Sequence, residues 1–107
     1  MRNRLDGRWA VLQGLRKSPD LNGRLVKVRS QRPDVRFETV RPGSGRELAA
    51  WPANLRGLLN EFEGRAAGDT VDFADGEVEL LGFDTQEGHW AGRKENVYMW
   101  IPRYNFQ

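Results

Sequence analysis

Cysteine is missing from this 107-residue chain. Its absence excludes disulfide staples and thiolate zinc sites alike. Histidine occurs once, at His89, so a metal site there would depend on several carboxylates for the remaining ligands. No apolar run approaches the ~20 residues that cross a bilayer. The opening letters, MRNRLDGRW, have no apolar stretch of the signal-peptide kind. Together these absences lead to the expectation of a cytoplasmic protein.

What the chain does contain is aromatic residues and charge. Four Trp and five Phe can build a small core if most of them point inward, enough for one domain or two very small modules. The net charge of +2 conceals a division. Residues 1–50 carry twelve Arg or Lys against five Asp or Glu, whereas residues 51–107 carry five against ten. Either the two halves attract each other, within one chain or across a dimer, or the basic half faces a polyanion.

The period of the apolar residues is mostly two, which is the strand period. Residues 1–8 read as loose until Leu5. Strands are predicted over Trp9–Gln13, Arg24–Ser30 (Val26 and Val28 on one face), Val35–Val40 (anchored by Phe37) and Glu47–Trp51. Turns fall at Ser18-Pro19-Asp20, Asn22-Gly23 and Pro42–Gly45. The predicted interior of this half is Val26, Val28, Phe37 and one of the flanking tryptophans, Trp9 or Trp51. Leu55, Leu58, Leu59 and Phe62 then stand at i, i+3, i+4 and i+7, which predicts a helix over residues 55–66 with Asn54 as N-cap; a one-turn helix from Pro52 is the alternative start. Strands resume over Thr70–Phe73, Glu77–Phe83, His89–Arg93 and Val97–Ile101, the last with Tyr98 and Trp100 on the face opposite Val97, Met99 and Ile101. The tail RYNFQ reads as partly ordered.

Within this pattern Gly14-Leu15, Pro19-Asp20-Leu21-Asn22-Gly23 and Pro52-Ala53-Asn54-Leu55 occur in an order and spacing that resembles a small SH3-like β-barrel motif. Modules of that kind stand beside ankyrin repeats or MYND-type zinc fingers. The resemblance covers residues 9–56. It departs from the motif at Val26, where a second Gly is common, and at Val35-Arg36, which replaces the usual Gly-Arg. It implies a fold and an accessory or interaction role, with no catalytic centre in common.

His89, between Gly88 and Trp90, reads as a hairpin residue with no oriented partner visible for acid–base work. Asp69, Asp72, Asp75, Glu77 and Glu79 make an acidic patch without calcium-loop spacing. Trp90, Tyr98 and Trp100, with Asp75 and Glu77, are the candidate partner-binding residues. Arg24, Lys27, Arg29 and Arg36 are the candidate phosphate-binding residues, with Trp9, Phe37 and Trp51 near enough in sequence to stack on bases.

The sequence therefore predicts a mainly β (α+β) chain. Residues 1–56 form a basic SH3-like barrel module, and residues 57–107 form a helix plus an acidic antiparallel module packed on the first. The expected role is noncatalytic, as a protein–protein interaction or self-association module, with no cofactor, no metal and no membrane partner. A nucleic-acid-binding accessory protein using the basic sheet is the first alternative, and a small enzyme of unknown class the second.

Overall fold

The computed structural model describes residues 5–106, so the predicted loose start at residues 1–4 and the final Gln107 lie outside the described residues. The chain divides into two compact units, Met1–Gly57 and Leu58–Gln107. Both are built from antiparallel strands, and no α-helix occurs among the described residues.

In the first unit, β1 (Trp9–Leu12), β2 (Leu25–Gln31), β3 (Phe37–Val40), β4 (Glu47–Ala50) and β5 (Leu55–Gly57) form one sheet in the order β4-β3-β2-β1-β5. The sheet does not close on itself: β4 and β5 are its two edges. Alternation sets the inner face. Ala10, Leu12, Val26, Val28, Phe37 and Ala50 are buried together, as period-two patterning requires. Between Val28 and Ser30 the register of β2 against β3 slips by a residue, leaving Arg29 as the extra member of a bulge. Thr39 is buried among these apolar groups, and its hydroxyl donates to the Leu48 carbonyl at 2.8 Å, which satisfies it.

The tryptophans depart from expectation. Neither Trp9 nor Trp51 belongs to this core. Trp9 carries the Lys27 ammonium over its ring at 4.9 Å, and Trp51 is 51% exposed with the Arg36 guanidinium over its ring at 5.5 Å. An aromatic face covered by a cation is stabilised without entering the interior.

The predicted helix over residues 55–66 is not formed. A 3-10 turn, Pro52–Asn54, leads into β5, and a two-stranded hairpin of β6 (Glu61–Phe62) and β7 (Arg65–Ala66) follows. The four apolar residues do not share one face. Leu55 is buried in the first unit's core, whereas Phe62 packs against the second unit's core, and Leu59 pairs with Phe83 in an isolated bridge. Glu63 and Gly64 both take positive φ, 51° and 80°, which turns the hairpin and ends any helical path.

The second unit is a four-stranded sheet, β11-β10-β9-β8, made of β8 (Thr70–Asp72), β9 (Glu77–Asp84), β10 (His89–Lys94) and β11 (Val97–Pro102). Its core holds Val78, Leu80, Phe83, Trp90 and Ile101. Val78 and Leu80 share a face with Phe83 despite the odd spacing because the register shifts where Ala91 faces Gly82 and Gly92 faces Leu80, so that Leu81 is bulged. Gly92 lies on the core face: a Cβ there would stand 2.7 Å from Val78 Cγ1 and 3.0 Å from Ile101 Cδ1. The tail is more ordered than expected, with a 3-10 turn over Arg103–Phe106 that returns Phe106 to the core and leaves Tyr104 exposed.

Candidate functional site

The residues that carry the sequence motif come together at one junction of the first unit. The loop between β1 and β2 runs from Gln13 to Arg24 and contains a 3-10 turn, Pro19–Leu21. Asn22 clamps its two ends: the Leu15 amide donates to Asn22 Oδ1 at 2.8 Å, and Asn22 Nδ2 donates back to the Leu15 carbonyl at 3.1 Å. A second clamp ties the loop to the Pro52–Asn54 turn. The Gln13 amide donates to the Asn54 carbonyl at 2.9 Å, and Asn54 Nδ2 donates to the Gln13 carbonyl at 2.9 Å. Gln13 Nε2 also reaches the Ala53 carbonyl at 3.2 Å. Gly14 lies between the clamps at φ +65°, a conformation glycine adopts without strain. Small side-chain amides can bridge two backbone segments in this way because each offers a donor and an acceptor together.

The clamped loop and turn bound a groove of about 480 Å³. Leu15, Leu21, Leu48 and Trp51 give it apolar walls, Arg16 and Lys17 stand in its lining, and none of the lining residues is acidic. Trp51 also has a cationic neighbour. Arg36 lies over its ring, and Arg36 is itself fixed to Asp34 Oδ2 by Nε at 3.0 Å and Nη2 at 2.7 Å. That guanidinium holds the Asp34 carboxyl below its ordinary pKa. Smaller hollows of about 150 and 70 Å³ lie beside Arg29 and Glu47, and between Arg65 and Arg103. Both are lined by paired or mixed charges.

The residues expected to bind a partner are not gathered into one site. Trp90 is 1% exposed and belongs to the second core, where Phe83 meets its ring edge-on at 5.4 Å; it is a packing residue, and a partner cannot reach it. Tyr98 and Trp100 do share a face of β11. Tyr98 lies opposite Arg93, whose guanidinium is held above its ordinary pKa by hydrogen bonds to Glu79 and Tyr98, and Trp100 stacks on His89 at 4.1 Å. Asp75 and Glu77 are exposed at the β8–β9 turn, where Asp75 takes φ +67°. His89 is partly exposed, and its Nε2 lies 3.7 Å from Oδ2 of the buried Asp84.

The four candidate phosphate ligands are likewise dispersed. Arg24 and Arg29 are five residues apart on and beside β2, roughly 16 Å along an extended chain. Arg29 is paired with Glu47 at 2.9 Å, Arg36 with Asp34 at 2.7 Å, and Lys27 lies over the Trp9 ring at 4.9 Å. Among the described residues no group of three or more His, Asp or Glu side chains is placed to hold a metal ion, and no helix is long and apolar enough to cross a membrane.

The groove brings together Leu15 and Leu21 of the motif, Trp51, which the sequence offers only as a base-stacking candidate, and Arg16, Lys17 and Leu48, which the sequence does not mark as site residues. The motif letters around Arg16 and Lys17 are the one indirect signal for them. No protein family, curated protein or solved structure matches the chain.

Proposed function

We propose that the first unit is an SH3-like interaction module and that the groove between the Gly14–Leu21 loop and the Trp51–Asn54 turn receives a protein partner, without catalysis. The strand order β4-β3-β2-β1-β5, with a 3-10 turn immediately before β5, supports the SH3-like reading, although the sheet is open. The observation that carries the functional reading is Trp51. It is a large aromatic, half exposed, with Arg36 over its ring, and it lines a groove with apolar walls. Rigid aromatics that line a preformed groove are the usual energetic anchors of protein interfaces, because little side-chain entropy is lost on binding. The backbone clamps at Asn22 and Asn54 add preorganisation.

The nucleic-acid alternative has less support. Two of its four candidate cations are paired with carboxylates, Arg29 with Glu47 and Arg36 with Asp34. Selection from a random peptide display library tests the proposal. Enrichment of sequences that bind the intact chain and fail to bind the Trp51→Ala variant is the expected result. Failure to enrich any such sequence, with retention of the chain on a polyanion column, would reverse the ranking.

A further inference from the structure

The lining of the groove also bears on what it selects. Its floor and walls are apolar, from Leu15, Leu21, Leu48 and Trp51, while its charged lining is of one sign, Arg16 and Lys17. Both cations are exposed and project from a loop whose backbone is fixed at Leu15 and Asn22. Asp34 is not part of the lining, and its carboxylate is paired with Arg36. A ligand segment with a positive charge would meet repulsion at this end and no acidic counterpart within the groove.

Resting on the reading of the groove as a protein-binding site, we propose that its occupant is an extended acidic peptide segment of a partner protein. One or two apolar side chains enter between Leu21, Leu48 and Trp51, and an adjacent Asp or Glu faces Arg16 and Lys17. The apolar contacts supply most of the affinity, and the two cations supply selectivity and association rate.

The test uses the full chain and three sets of short synthetic peptides of identical apolar content that differ only in being acidic, neutral or basic. Binding is followed by calorimetry at low and at high ionic strength. The acidic set is expected to bind about tenfold or more tightly than the neutral set. That margin should shrink when salt is raised to about 1 M, where the screening length is about 3 Å. Paired reversal, Arg16→Glu with Lys17→Glu, is expected to transfer the preference to the basic set. Should the reversal disturb folding, Arg16→Gln with Lys17→Gln is expected to abolish the preference while leaving the neutral set bound.

Equal affinity for all three sets, lost in Trp51→Ala, would overturn the acidic preference and leave the groove reading intact. No binding by any set would overturn both. A concentration-dependent dimer of the chain that disappears in the same variants would also overturn the proposal, because a second copy would then be the occupant.

Discussion

Asn22 and Leu15 exchange hydrogen bonds in both directions, amide to Oδ1 at 2.8 Å and Nδ2 to carbonyl at 3.1 Å, so one side chain closes the loop that forms a wall of the groove. Backbone bonds hold the base of the loop, Gly23 N–H to the Leu12 carbonyl at 2.8 Å and Leu12 N–H to the Arg24 carbonyl at 3.0 Å, and the Asn22 clamp adds to them at Leu15. Each such bond contributes about 0.5–1.5 kcal/mol net. Asn22→Ala is therefore expected to lower stability by about 1–2 kcal/mol. Urea denaturation checks the loss, and increased hydrogen exchange at the Leu15 amide checks its location.

Val35 invites the opposite change. It stands where the resembling motif has Gly, it takes φ +65°, and it is 51% exposed. A β-branched residue in the left-handed region costs about 1–2 kcal/mol. Glycine removes that strain, gives up little burial, and loses about 0.5–1 kcal/mol through the freedom of the unfolded chain. Val35→Gly is expected to be neutral to stabilising by roughly 1 kcal/mol, measured as a higher urea midpoint at unchanged slope.

In the second unit Gly92 is required for a steric reason. Gly92→Ala places a methyl group against Val78 and Ile101 and is expected to destabilise by about 1–3 kcal/mol. Val78→Ala should make that substitution cheaper, because it vacates the nearer contact. A double-mutant cycle measures the coupling, which is expected to be favourable.

The pH dependence follows from Asp34. Hydrogen bonding to Arg36 lowers its pKa in the folded chain below the ordinary value of 3.8. The associated stability is present above the unfolded value and is lost as pH falls through the lower, folded one. Asp34→Asn is expected to weaken the chain at neutral pH and to reduce the steepness of its acid destabilisation below about pH 4. Solvent exposure makes the effect small and salt-sensitive. Urea midpoints of both proteins across that range provide the comparison.

These residues also indicate which features were legible in the letters. Val26, Val28 and Phe37 were placed in the interior by alternation alone, since a half-buried strand has one possible face for its apolar set. Tyr98 and Trp100 were placed together on β11 for the same reason. One of Trp9 and Trp51 is expected inside and neither is, because hydrophobicity does not reveal whether a ring lies under a cation or inside a core. The stripe Leu55, Leu58, Leu59 and Phe62 misled because a period argument assumes one continuous element, whereas Leu55 and Phe62 serve different cores. The groove was hidden because its walls come from a loop with no period and from Leu48 and Trp51, far along the chain. The sheet order and the clamps at Asn22 and Asn54 bring them together.

The most direct measurement is a map of backbone amide chemical shifts on adding a peptide selected by the intact chain. The account predicts perturbations confined to Leu15–Leu21, Leu48 and Trp51–Asn54, and their disappearance in Trp51→Ala. Perturbations centred on the outer face of β2, or on Tyr98 and Trp100 in β11, would contradict it.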